Sequence, residues 1–177
     1  MALLVIKACE MRDAGLPAKE IAEQIALLRE KVHTTFILNT LDYLSRGGRC
    51  SAVTAFGANL LSIKPSIEMV DGALEVGKKY RGKIETVYGQ YIRDQLSDPD
   101  KLDLSRAFLS HSGGGISEET LQAMKKEILR CAPFQEVQII RAGCTISAHC
   151  GPKNRHGYVY GKIKNLHTAY FNAIFHK

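Results

Sequence analysis

Two segments of the chain carry side chains suited to an anion. In Thr40-Leu41-Asp42-Tyr43-Leu44-Ser45-Arg46-Gly47-Gly48-Arg49, two guanidinium groups flank a glycine pair at an expected helix end. Their planar forks can approach a carboxylate or phosphate bidentately there. In Thr145-Ile146-Ser147-Ala148-His149-Cys150-Gly151-Pro152, hydroxyls and an imidazole are expected in a tight turn after a strand. For each segment a turn with charged flanks is the plain alternative. Gly113 to Gly115 lie between an expected strand and helix, where backbone N–H groups could cradle phosphate. No Gly-Lys-Ser or Gly-x-Gly-x-x-Gly pattern completes that loop, and a permissive turn explains it. His111 just past the strand end reads as structural. No nucleophile with its base and no catalytic carboxylate pair stands out, so no enzyme is expected. His149 with Cys144 and Cys150 lacks the paired ligands of a tetrahedral zinc set, so neither metal nor cofactor is expected.

The charge distribution supports an anion site more than the total charge does. Of 177 residues, 24 are Lys or Arg and 18 are Asp or Glu, a net charge of +6. Residues 1–136 balance 18 basic against 18 acidic groups, and from Val137 to Lys177 there is no acid at all. Arg141, Lys153, Arg155, Lys162, Lys164 and Lys177 supply the whole excess. A one-signed field suits a carboxylate, phosphate, nucleic acid or acidic lipid headgroup, with a solvated basic tail as the bland reading. Hydrophobic residues at 45% and charged residues at 24% mark an ordinary globular chain. No apolar run approaches the ~20 residues of a membrane helix, and the opening Met-Ala-Leu-Leu-Val-Ile has no basic region before it, so no leader is expected. Five cysteines at wide spacing read as reduced thiols. A cytoplasmic location is the expectation.

These groups must be positioned by the elements between them. Ala2 to Ala14 reads as a helix stopped by Gly15, and Ile21, Ile25, Leu28 and Val32 recur at helical spacing behind Pro17. Thr34 to Leu38 reads as a strand, Leu41 to Arg46 as a short helix, and Ser51 to Leu61 as another closed by Pro65. Asp71-Gly72 is a hairpin signal between Ser66–Val70 and Ala73–Lys79. Helices over Lys83 to Leu96 and from Ser117 to Arg130 alternate with strands at Ser105–Ser110 and Val137–Arg141, and Tyr158 to Tyr160 makes a last strand. The reading is a two-layer α/β unit on a mixed sheet over residues 34–161. Residues 1–33 read as two helices left over from an upstream domain, and 162–177 as a basic aromatic tail.

In this order the motifs resemble the DegV family. The likeness runs through Phe36 to Arg49 with its Arg-Gly-Gly-Arg, Leu60 to Ile67 with its Leu-x-Ile-Lys-Pro, the Asp71-Gly72 hairpin, Arg81-Gly82 and the closing His149-x-Gly151-Pro152. Leu3 to Val32 is similar to the helical stretch ahead of the family's strand. The resemblance implies a two-domain fatty-acid-binding protein of which this chain is the second domain with the last helices of the first. It implies an acyl chain in an apolar tunnel between domains and a carboxylate near the surface, where a fatty acid kinase phosphorylates it. His149 carries over as the imidazole of the head-group site, in the turn that Gly151 and Pro152 shape. Arg46 and Arg49 are expected from their own forks, flanking the glycine pair, to face the anionic head or the kinase, with capping of the preceding helix as the plain alternative for Arg46. The family's hydroxyl partners lie in a Ser-Gly-Thr-type loop of the first domain, and no Ser-Gly-Thr occurs here. Lys153-Asn154-Arg155-His156 replaces the usual Gly and small apolar strand after the Gly-Pro pair.

Long-chain fatty acid is therefore the expected ligand. A kinase, a separate first domain or a second copy is the expected partner. The alternatives are a truncated remnant that binds nothing and a basic module for nucleic acid or a membrane surface. Without a first domain, Leu3, Leu4, Val5, Ile21, Ile25 and Leu28 are expected to form an exposed apolar surface.

Overall fold

Alternation of side chains along each strand decides which helices cover which face of the sheet. The computed structural model describes residues 1–38, 42–46, 63–113, 116–150 and 158–163. Its strands are β1 (Val32–Ile37), β2 (Ile63–Val70), β3 (Ala73–Arg81), β4 (Arg106–His111), β5 (Glu136–Arg141) and β6 (Tyr158–Ile163). They form one mixed sheet in the order β3-β2-β1-β6-β4-β5, parallel only between β4 and β5. The expected mixed α/β unit is what forms.

On one face, Ile37, Ala107, Leu109 and Val137 meet α4 (Ile84–Gln95) and α5 (Glu118–Cys131). Val87, Tyr88, Tyr91 and Ile92 recur at helical spacing along α4, as Leu121, Met124 and Ile128 do along α5, so each helix buries one stripe. The Ser117 hydroxyl accepts from the Thr120 N–H at 3.2 Å and caps α5. On the other face, Phe36, Leu38 and Ile67 pack with Leu44 of α3 (Asp42–Arg46). Beside them, Phe108 packs with Leu3 and Met11 of α1 (Ala2–Asp13) and Leu28 of α2 (Ala18–Arg29).

The first two helices are thus part of the described core. Leu3 and Leu28 are buried, Leu4, Ile21 and Ile25 are partly buried, and Val5 alone of the six expected exposed residues is open to solvent at 56%. That corrects the expected apolar patch: β4 and β5 present Phe108 and Ile140 on a face that α1 and α2 can cover. Charge adds a second attachment. Lys7 of α1 is buried, with its ammonium 3.0 Å from Glu10 and 3.8 Å from Asp103. Arg106 of β4 reaches Glu10 at 3.2 Å and Glu136 of β5 at 2.6 Å. Buried charges persist only when paired in this way.

Two boundaries differ from the pattern in the sequence. The second helix ends at Arg29 and β1 begins at Val32, because Val32 and His33 pair with Ile163 and Lys162 of β6, and ladder pairing outweighs helical spacing. β2 begins at Ile63 and runs through Pro65, where the register with β3 shifts, the kind of irregularity that tolerates a residue without an N–H. The helix expected over Ser51 to Leu61 lies outside the described residues.

One surface network makes a pH prediction. Arg130 and Arg93 both donate to Glu127, joining α5 to α4, and hydrogen bonding to Arg130 first, then Arg93, pulls the Glu127 carboxyl down to about 2. A depressed folded value means stability present above the unfolded carboxyl value and lost as pH falls towards 2. Glu127→Gln is expected to flatten the acid limb of thermal stability between roughly pH 4.5 and 2, while costing no more than ~1 kcal/mol at neutral pH, since the arginines are exposed. Melting temperatures at stepped pH check this.

Candidate ligand-binding site

Because β1 and β4 both run antiparallel to β6, and β5 runs parallel to β4, the strands β1, β4 and β5 all finish at the same edge of the sheet. Carboxyl ends of co-directional strands are where open α/β sheets collect ligands. Each of these strands leads into a segment that the sequence singled out: α3 after β1, the first glycine of the triplet after β4, and α6 (Cys144–Cys150) after β5. The helices α3 and α6, about a hundred residues apart in the chain, pack against each other.

The turn expected over Thr145 to Pro152 is a helix through Cys150 instead. The Ser147 N–H donates to the Gly143 carbonyl at 3.0 Å and closes its first turn, and nothing between Cys144 and Cys150 is a Gly or Pro that would break it. The Gly-Pro pair that suggested a turn comes only after this helix. Gly151 and Pro152 lie outside the described residues, as does Arg49. Arg46, the last residue of α3, is exposed.

His149 is half-buried, and its Nδ1 sits 2.7 Å from the Thr145 carbonyl one turn back. A carbonyl only accepts, so Nδ1 carries the proton, and in the neutral ring Nε2 is left as an acceptor. Ile146, three residues before it and on the same side of the helix, is 44% exposed. The arrangement sets an apolar side chain beside a polar tip, as an amphiphile requires.

Residues that the sequence weighed lightly gather around α6. The Ser147 hydroxyl lies 3.4 Å from both the Ser112 and Ala142 carbonyls, tying α6 to the ends of β4 and β5. The Ser112 hydroxyl oxygen is buried without a hydrogen-bond partner among the described residues. His111 accepts the Gly113 N–H on Nδ1 at 3.3 Å. Burial, then the charge of Arg141, pushes the His111 imidazole below its ordinary value, against a weaker upward pull from Glu118. Among the described residues no group of three or more His, Cys, Asp or Glu is placed to hold a metal ion, and no helix is long and apolar enough to cross a membrane. Cys9, Cys131 and Cys144 are free thiols.

Comparison with known proteins places this geometry. A family model described as an uncharacterised protein of the DegV family matches residues 1–155. A DegV domain-containing protein of Clostridium perfringens is 31% identical over 152 residues, covering 84% of this chain and 52% of the relative. One from Streptococcus pyogenes serotype M1 is 30% identical over 161 residues, covering 90% and 54%. The chain spans about half the length of the curated relatives it matches. Among solved structures, a DegV family protein from Eubacterium eligens loaded with heptadecanoic acid superposes with a TM-score of 0.76 at 21% identity, over 93% of this chain and 56% of that one. The Streptococcus pneumoniae Fatty Acid Kinase (Fak) B3 protein loaded with linoleic acid gives 0.74 at 24%, over 92% and 55%. A fatty-acid-binding DegV family protein from Thermus thermophilus gives 0.73 at 25%, over 93% and 56%. With the matched stretch reaching from α1 past the His149-x-Gly151-Pro152 motif, the chain belongs to the DegV family.

Proposed function

We propose that this chain is the carboxyl-terminal half of a fatty-acid carrier, which holds the head of a long-chain fatty acid at the edge where α3 meets α6 and presents it to a fatty acid kinase. The observation that carries this reading is the packing of α3 against α6, which draws Arg46 and His149 to one edge of the sheet. The bound lipids named for related structures, heptadecanoic and linoleic acids, and the kinase association in the name of one of them support it. The chain acts as a carrier rather than an enzyme in this reading. Arg46 and Arg49 steer the anionic head or the kinase, and Gly151 and Pro152 shape the backbone beside His149.

The acyl tail needs more wall than this half offers. The space enclosed between α4, α5 and Leu109 amounts to about 10 Å³, too little for a hydrocarbon chain. Burying ~15 methylenes is worth about 12 kcal/mol gross in a closed tunnel, and about half that against one wall, which the cost of association largely cancels. Delipidated protein alone is therefore expected to bind oleate no tighter than roughly 100 μM. Fused behind the first half of the Streptococcus pyogenes relative, it is expected to bind at least about a hundredfold tighter, from the second wall. Arg46→Ala in the fusion should slow phosphorylation of bound oleate while leaving the melting temperature unchanged. A fusion that folds and binds no oleate overturns the carrier reading.

A further inference from the structure

The two histidines at this sheet edge are wired in opposite senses. His149 spends its Nδ1–H on a carbonyl, whereas His111 receives a backbone N–H on Nδ1 at 3.3 Å. A nitrogen that accepts carries no proton, so the neutral His111 ring holds its proton on Nε2 and offers it as a donor. Burial and the neighbouring guanidinium favour that neutral form.

The guanidinium belongs to Arg141, which stands opposite His111 in the parallel register of β4 and β5, so both side chains leave the sheet on the α5 side. Arg141 lies against Gly113. A Cβ added at Gly113 would come within 3.0 Å of Arg141 Nε and 3.1 Å of a terminal nitrogen, and Gly113 has φ +83°. Both facts make glycine the residue that lets the cation lie there. Arg141 forms no ion pair among the described residues, although ten such contacts link other cations to carboxylates. Glu118, whose charge reaches His111 from the groove wall, already accepts from the Gln122 amide at 2.7 Å. The pair opens into a groove of about 970 Å³ between β5 and α5, with Lys125 along its wall.

From this juxtaposition we propose that His111 and Arg141 form an oxyanion-binding subsite, in which the His111 Nε2–H and the Arg141 fork donate to the oxygens of a carboxylate or phosphate. It is separate from the proposed acyl head-group contact at His149 and does not depend on it. A planar fork with one ring N–H beside it gives three donors converging on one anion. Gly113 and the exposed position of Arg141 leave room for the ligand to approach.

The test is a titration of the whole, isotope-labelled chain with inorganic phosphate and, in parallel, with acetate, followed by the ring nitrogens of His111 and the Arg141 Nε–H in NMR spectra. The expected result is an apo His111 in the Nε2–H form and shifts that saturate below roughly 20 mM of at least one anion. Tighter phosphate assigns a phosphate-type ligand, and equal or tighter acetate assigns a carboxylate. Arg141→Gln should weaken binding about fivefold or more, Arg141→Lys should recover only part of it, and Glu118→Gln should tighten it. Arg141 is exposed, so these variants are expected to fold, and unchanged melting temperatures check that. Shifts that fail to saturate with either anion, or that survive Arg141→Gln intact, overturn the proposal.

Discussion

Deleting residues 1–30 is expected to abolish cooperative folding of the rest of the chain. The deletion uncovers Phe108 and removes Leu3, Met11 and Leu28, which are all at least nine-tenths buried in one cluster. At ~1.5 to 3 kcal/mol for each buried side chain the loss is about 6 to 12 kcal/mol, comparable with the whole stability of an ordinary domain. Glu10 is lost to Arg106 and Lys7 to Asp103, so two partly buried charges also lose partners. A graded version uses Leu28→Ala, expected to cost ~2 to 5 kcal/mol because the side chain is 2% exposed and leaves a cavity. Thermal melts followed by circular dichroism and by a hydrophobic dye read both. A shortened chain that melts sharply at the original temperature would instead mark the two helices as part of another unit.

How these helices pack could not be read from their own residues. The amphipathic stripe Ile21, Ile25, Leu28 is plain in the sequence, but a stripe says only that something covers it. What covers it is Phe108 and Ile140, far later in the chain, and their inward direction depends on a register set by β4 against β5 and β6. The ion pairs of Lys7 and Arg106 are equally remote in sequence. By contrast the Asp71-Gly72 hairpin, the Ser117 cap and the stripes of α4 and α5 are local devices, and each forms where its residues place it.

The site divides in the same way. His149 enters the proposed site through a family motif and Arg46 through its place beside a glycine pair, whereas the meeting of their helices follows from sheet order, which neither encodes. His111 looked structural because its value lies in which nitrogen the Gly113 N–H engages, a matter of φ at Gly113. Arg141 was visible only as part of a basic stretch, and its register with His111 singles it out.

The second large effect concerns His149 and the head of a bound fatty acid. With Nδ1–H committed to the Thr145 carbonyl at 2.7 Å, Nε2 is the ring atom left for the ligand. Nε2 and a carboxylate oxygen are both acceptors, so the contact they make holds one proton between them, and losing it strands a desolvated carboxylate. His149→Ala in the two-domain fusion should therefore lower oleate affinity by about one to two orders of magnitude, read by titration calorimetry. His149→Gln, which can donate an amide N–H, should restore part of that affinity, while His156→Ala and His167→Ala should leave it unchanged. Unchanged melting temperatures across the four variants would tie the loss to the missing contact rather than to the fold. A His149→Ala protein that binds as tightly as wild type would remove the residue from the site.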